Sequence, residues 1–284
     1  MKIAAIILNY NSSQYCKICA SFLLKQENVD LEIIVVDNCS KEEEAKAVKT
    51  ICDELGLTLL CAKENRGYSA GNNIGLRYAA EIGCKYALIA NPDMEFYQSN
   101  YICELIKVME RDAQVIVCCS DIVDIEGTHQ NPLYMNTYWD DFWGVLKTSR
   151  KRYEREKRWK ESRYCDLVHG CCMMLNVEFI KSIDYLDENT FLYCEERILG
   201  TRIKTNNKKM YYYAAVQAVH HHVKSEKGNS RRNLNMLLES RDYFYKQYTC
   251  CTKFERLVLK LAEYFQFYMI FMFSKLKINV GKKL

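Results

Sequence analysis

A chain of 284 residues, 49% hydrophobic and 27% charged, is long enough to bury a substantial core and too apolar to stay disordered. Its net charge of +4 hides a local excess: from Lys147 to Arg163 nine Lys/Arg face three Glu, a segment of +6 that leaves +4 − 6 = −2 for the rest. Basicity confined to one segment argues against nucleic-acid binding, which usually draws on a fold-wide basic face.

Fifteen cysteines raise the question of disulfides, but most, such as Cys16, Cys19, Cys118, Cys119, Cys171 and Cys172, sit inside apolar periodic segments, where they act as small hydrophobes. Cys16 and Cys19 have no second pair at zinc spacing. Asn9-Tyr-Asn11 interrupts the apolar start, so no signal peptide is expected and a reduced, cytosolic setting follows.

In chain order, Lys2–Leu8 reads as a strand and Ser13–Lys25 as a helix. Leu31–Val36 is a second buried strand, and Lys41–Leu55 a charged helix stopped by Gly56. Leu57–Ala62 is a third strand, Ala70–Ile82 a helix closed by Gly83, and Lys85–Ala90 a fourth strand. A helix over Asn100–Arg111 and a strand over Gln114–Ser120 follow. Strands alternating with helices of this length predict an α/β fold with a mostly parallel sheet and helices on both faces. From about Asp124 to Arg163 the rhythm breaks into an aromatic, basic stretch. Regularity returns with Tyr164–Asn176, a helix over Phe191–Thr205 and a strand over Met210–Val219, and Asn233–Leu284 reads as helical.

Four strand ends carry polar turns: Asn9-Tyr-Asn11, Asp37-Asn38, Glu64-Asn-Arg-Gly67 and Asn91-Pro-Asp93. In an open α/β sheet these ends share the edge where ligands bind, and Asn91-Pro-Asp93 projects a carboxylate there, a foothold for a hard divalent cation. Gly67, Gly71 and Gly75, with Asn72 and Asn73, lead into a helix and permit close backbone approach to a ligand. The chain lacks G-x-G-x-x-G and Walker sequences, so neither a dinucleotide dehydrogenase nor a P-loop NTPase is supported. Glu195-Glu196 opens an amphipathic helix, and one of the two is a candidate general base for an acceptor hydroxyl. His220-His221-His222 ends a strand. Alternation puts His220 and His222 on one face, where either completes a cation site with Asp93.

In order, Ile6-Ile-Leu-Asn-Tyr-Asn-Ser12, Ile34-Val-Val-Asp-Asn-Cys-Ser40, Asn65-Arg-Gly-Tyr-Ser-Ala-Gly-Asn-Asn-Ile-Gly75, Asn91-Pro-Asp93, His169-Gly-Cys-Cys-Met-Met174, the Glu195-Glu196 helix and the histidine strand end resemble the family 2 glycosyltransferases, over roughly residues 1–225. Within that family they are most similar to the rhamnosyltransferase-like, non-processive branch that builds bacterial surface polysaccharides. The resemblance implies a GT-A fold: a Rossmann-like, mostly parallel sheet flanked by helices, with a helical C-terminal appendage. A catalytic domain over 1–228 would divide into a nucleotide-sugar half (1–120) and an acceptor half (121–228), with a helical region over 229–284.

The implied activity is inverting transfer of one sugar from a nucleotide-diphosphate sugar to a hydroxyl of a glycan or lipid-linked acceptor, with Mg²⁺ or Mn²⁺ as cofactor. Asn9 and Asn11 would line the nucleotide pocket, and Asp37 would pair with the base. Asn65, Arg66, Gly71, Asn72 and Asn91 would lie near the donor. Asp93, with His220 or His222, would hold the cation. The family's D-x-D is here Asn91-Pro-Asp93, with a single carboxylate, and its Glu-Asp pair is Glu195-Glu196, with Glu196 in the position of the base. The processive branch's Gln-x-x-Arg-Trp is missing. Two other readings are a nucleotidyltransferase, which would show a Gly-rich, Arg/Lys-bearing loop where this chain has Asn9-Tyr-Asn-Ser12, and a catalytically silent binding protein or partner subunit on the same fold.

Two further segments each carry two readings, one of them contact with the inner face of the cell membrane. The Lys147–Arg163 run is most simply a solvated helical face; alternatively it draws the enzyme toward anionic headgroups or a diphosphate-linked acceptor. Tyr264–Phe273 is nearly all apolar and followed by Lys275, Lys277, Lys282 and Lys283, too short to span a bilayer; it suits an interfacial helix, or a helix packed on its own domain or on a second subunit.

Overall fold

The computed structural model describes residues 1–144, 159–221 and 230–275. His222, most of the basic run (147–158) and the lysines at 277, 282 and 283 lie outside the described residues.

The first half is a set of βα units: β1 (Lys2–Asn9), α1 (Ser13–Leu23), β2 (Asp30–Asp37), α2 (Glu42–Leu55), β3 (Thr58–Cys61), α3 (Tyr68–Glu81) and β4 (Tyr86–Ala90). Its four strands pair in parallel. Their sequences alternate between the two faces of the sheet: Ile3, Ala5 and Ile7 enter one core and Ala4 and Ile6 the other. A strand buried on both faces has to be apolar throughout, which is why Lys2–Leu8 carries no polar period. Gly56 ends α2 in the left-handed region at φ 67°.

The second half adds β5 (Met94–Glu95), α4 (Tyr101–Arg111), β6 (Val115–Asp124), α5 (Tyr138–Trp143), β7 (Arg163–Cys165), β8 (Cys172–Asn176), α6 (Val177–Ser182), α7 (Glu195–Thr205) and β9 (Lys209–His220). The sheet order is β3-β2-β1-β4-β8-β6-β9-β5, with β7 paired to β9. β6 and β9 keep the parallel direction, whereas β5, β7 and β8 run antiparallel to their neighbours. One face is covered by α1, α2 and α4, the other by α3, α6 and α7. The expected mostly parallel sheet flanked by helices is present. The antiparallel β8 in its middle is an addition that hydrophobic patterning does not reveal.

Other boundaries move for local reasons. The helix expected from Phe191 starts at Glu195, because Tyr193 and Cys194 adopt left-handed backbone at φ 74° and 66°. The strand expected to end at Ser120 reaches Asp124 after a register shift between Ser120 and Asp121. The C-terminal stretch is two helices, α8 (Ser230–Tyr248) and α9 (Lys253–Lys275). Thr252 separates them and caps α9: its hydroxyl and amide both donate to the Glu255 carboxylate. A third apolar cluster of Cys194, Ile198, Phe244, Tyr245 and Leu259 seats these helices against α7.

All fifteen cysteines are free thiols, and Cys16, Cys19, Cys118, Cys119, Cys171 and Cys172 are buried among apolar neighbours, as their positions predict. Among the described residues, no helix is long and apolar enough to cross a membrane.

Candidate active site

The carboxyl ends of the parallel strands form the edge on which the polar turns collect. At the tips of β1 and β2, Asn9 Nδ2 donates to Asp37 Oδ1 at 3.0 Å, and Ser40 supplies its hydroxyl to Oδ1 and its amide to Oδ2 at 2.6 and 3.1 Å. Asn11 Oδ1 accepts from the Lys41 amide at 2.8 Å. Asn9 and Asp37 are both buried, their polar atoms engaged with one another and with Ser12 and Ser40. This makes a rigid rim, set before any ligand arrives.

Next along the edge, Asn38 Nδ2 donates to Asn65 Oδ1 at 3.1 Å, and Asn65 Oδ1 also accepts from the Gly67 amide at 3.0 Å. Arg66 turns outward to Glu188 at 3.2 Å, a carboxylate shared with Arg77 and Asn73. Asn72 is buried, with its amide donating to the Tyr68 carbonyl. The glycines approach the protein itself: a Cβ on Gly71 would meet Leu8 and Asn38, and one on Gly75 would meet Ile6. These two positions let α3 lie flat on β1 and β2. The close approach expected toward a ligand is here helix–strand packing.

The centre of the edge is built from four segments far apart in sequence. Asn91 donates its amide to the Cys171 carbonyl at 2.7 Å, joining the turn after β4 to the one before β8. Met94 pairs with His220 in the β5–β9 ladder, which holds Asp93 Oδ1 3.3 Å from His220 Nε2. Gln130 Oε1 lies 3.1 Å from His220 Nδ1. A carbonyl oxygen accepts, so Nδ1 donates to Gln130, and Nε2 is the ring atom that faces Asp93. His169 and Cys171 complete the group: their ligand atoms and those of His220 lie within 4.8 Å of one another. His221 points elsewhere and pairs with Glu95 at 3.0 Å. Of the expected cation ligands, Asp93 and His220 therefore meet. The donor character of His169 and Cys171 was not anticipated; the one available signal was the His-Gly-Cys turn immediately before an apolar strand.

The glutamates face the same place. Glu196 Oε1 accepts from the Gly170 amide at 3.1 Å, and the Tyr68 hydroxyl donates to the Gly170 carbonyl. Among the described residues, Glu195 Oε2 is buried without a hydrogen-bond partner. Burial, then the Glu196 charge, push the Glu195 carboxyl up to about 8, and burial raises Glu196 as well. Two adjacent carboxyls in a desolvated site resist ionising together and titrate as a pair. The left-handed Tyr193 and Cys194 just before them place backbone strain directly at the site. Such an arrangement sets a buried pair of carboxyls beside a cluster of imidazole, thiol and carboxylate atoms, the donor types that bind cations, at the edge where an α/β sheet takes its ligands.

This is the plan of a glycosyltransferase, and the comparisons agree with it. Residues 4–183, more than half of the chain, match the model of "Glycosyl transferase family 2", and the chain belongs to that family. It is 29% identical over 197 residues to the low-salt glycan biosynthesis hexosyltransferase Agl10 of Haloferax volcanii, covering 68% of this chain and 59% of that protein. It is 27% identical over 120 residues to the uncharacterized glycosyltransferase YibD of Escherichia coli K12, covering 42% of this chain and 34% of that one. The chain thus spans less than two thirds of either relative. Among solved structures, the mannosyltransferase PcManGT of Pyrobaculum calidifontis with GDP-Man and Mn²⁺ superposes with a TM-score of 0.62 at 16% identity, over 99% of this chain and 76% of that one. GalNAc-T7 with UDP, GalNAc and Mn²⁺ gives 0.63 at 15% identity, over 96% of this chain and 58% of that one. At these identities the likeness is one of fold, which is GT-A.

Proposed function

We propose that the chain is an inverting glycosyltransferase that moves one hexose from a nucleotide-diphosphate sugar to a hydroxyl of a glycan or lipid-linked acceptor, in surface polysaccharide biosynthesis. The observation that carries this reading is the turn over residues 169–171: the Gly170 amide donates to Glu196, and His169 and Cys171 on either side of it gather with His220, the partner of Asp93. The rhamnosyltransferase-like, non-processive branch stays part of it, on the order of the motifs.

Asp93 and His220 would hold a divalent cation, with His169 and Cys171 at its border. One carboxylate oxygen with imidazole nitrogens suits Mn²⁺ better than Mg²⁺, which prefers an all-oxygen octahedron. When bound, the cation would neutralise charge developing on the leaving diphosphate. The chain's own residues do the rest. The Asn9–Asp37–Ser40 rim and the Asn38–Asn65 link shape the nucleotide's seat, and Asn72 and Asn91 border it. Glu196, aimed by the Gly170 amide, takes the acceptor's proton as its oxygen attacks the anomeric carbon. Beside it, burial and the Glu196 charge keep Glu195 protonated.

Sugar transfer from a panel of UDP-, GDP- and dTDP-sugars with Mn²⁺ tests this. Asp93→Ala and Glu196→Ala should each lose at least about a hundredfold in rate, the scale of a lost general base or charge-stabilising group, with melting curves preserved. Near wild-type turnover in either variant would overturn the assignment.

A further inference from the structure

The outer face of α9 is an apolar stripe. Phe254, Leu257, Leu261, Phe265 and Tyr268 are between 46% and 74% exposed. At about 100° per residue these five fall within an arc of about 80°, and from first to last they run about 21 Å along the helix. Arg256, Leu259, Glu263 and Gln266 occupy the opposite side and face the protein. The stripe begins well before Tyr264, the start of the apolar run in the sequence.

The charges around the stripe decide what covers it. Lys253 and Lys260 are exposed and border one flank, while Val258, Ala262 and Met269 border the other. The helix's two carboxylates lie off this face: Glu255 accepts from Thr252 at the helix start, and Glu263 pairs with Arg241 of α8. A second copy packed stripe to stripe would bring lysines together with no carboxylate on the stripe between them. A negatively charged surface with an apolar interior suits both features.

A neighbouring helix repeats the pattern independently. α5 docks on α9 where the Tyr138 hydroxyl donates to the Glu255 carbonyl and Gln266 Nε2 donates to the Phe142 carbonyl. α5 exposes Trp139 and Trp143, one turn apart. Exposed tryptophans are the side chains that settle at a headgroup boundary, with an apolar ring and one polar N–H. Directly after α5 the sequence carries the nine cations of 147–163.

We propose that the outer face of α9 is a docking surface for an anionic lipid bilayer, with the exposed Trp139 and Trp143 of the adjoining α5 as further boundary contacts. The helix lies in the plane of the headgroups with its stripe inserted and Lys253 and Lys260 against lipid phosphates. The surface deepens the transferase reading, because α8, which packs with α9, bonds through Ser240 to the Leu192 carbonyl just before Glu195. Docking then holds the catalytic edge near an acceptor carried on a lipid.

Flotation of the full chain, without sugar nucleotide, on vesicles of equal parts phosphatidylglycerol and phosphatidylcholine tests this. The wild type should float, should float far less at about 0.5 M salt, and should not float on phosphatidylcholine alone. Tryptophan emission should shift to the blue on adding the mixed vesicles. The double variants Leu261→Asp/Phe265→Asp and Lys253→Glu/Lys260→Glu should each bind at least about tenfold more weakly. All four positions are exposed, so melting curves should not move; if a double variant fails to fold, Phe254→Ser replaces it. Wild-type flotation by the Leu261→Asp/Phe265→Asp variant overturns the proposal. So does failure of the wild type to float, or a dimer that this variant splits without any vesicle binding. A Glu196→Ala chain should float normally, so failure here and failure of the transferase reading are separable.

Discussion

Glu195 and Glu196 show how burial makes chemistry from two ordinary acids. The Glu195 carboxyl is pushed to about 8, against 4.5 in the unfolded chain, so the fold retains a proton that the unfolded chain releases. That proton favours the folded state at low pH, and the contribution is lost as pH climbs from about 4.5 through about 8. Melting temperature should therefore fall across this window in the wild type and fall less in Glu195→Gln; equal slopes would show that Glu195 does not carry the proton. A base must be ionised to act, so kcat/KM should rise with pH along one apparent step of the pair. Glu195→Gln should leave that step in place, because Glu196 ionises while Glu195 still holds its proton. At the proposed cation site, His220→Ala leaves Asp93 as the one remaining donor of the pair. Its transfer rate should need at least about tenfold more Mn²⁺ for half saturation, measured by metal titration.

The elements hold these residues through a few contacts that length and periodicity do not show. Gly67 caps the start of α3 at φ 95°, and a Cβ there would overlap the Phe191 carbonyl, which itself accepts from the Tyr68 amide. Gly67→Ala should cost roughly 1–3 kcal/mol in urea unfolding from strain and overlap together, and should lower transfer by displacing the segment that precedes Glu195. On the far side of α7, Arg197 donates to Asp141 of α5 at 2.6 Å and lies over the ring of Phe244 in α8, 4.3 Å from its centroid. Against the cost of burial, the Arg197 charge holds the Asp141 carboxyl below its usual range. Asp141→Ala leaves the guanidinium buried without its counterion and should destabilise the protein by about 3–5 kcal/mol, read by urea unfolding. Because the pair joins α5, α7 and α8, the same change should loosen the C-terminal helices, seen as faster amide exchange in α8.

On the scale of the whole molecule, the strand ends, the turn before β8 and the start of α7 form one site, so donor binding should stabilise the fold as a unit. A nucleotide sugar at a hundred times its Kd, with Mn²⁺, adds about 2.7 kcal/mol, which should appear as a rise of several degrees in melting temperature, larger than with nucleotide sugar alone. Much of this organisation is legible in the sequence. The buried strands, the helices between them and the Gly56 stop follow from local hydrophobic period and backbone preference, and the polar strand tips follow from the rule that ligands gather at one sheet edge. Asp93, His220 and the glutamate pair stand out as acids and imidazoles at such ends. The partners of these residues are not legible. His169 and Cys171 reach His220 because β8 runs antiparallel and starts at the edge where its neighbours finish. Asp93 meets His220 because β5 adds to β9 in one register. The outer stripe of α9 becomes an exposed surface only when Arg256, Leu259 and Glu263 choose the protein-facing side. The sequence by itself determined the elements, the family and the candidate residues, since these depend on short-range pattern; the tertiary structure decided which residues meet and which faces stay open, since strand direction and register are set by pairing between distant segments.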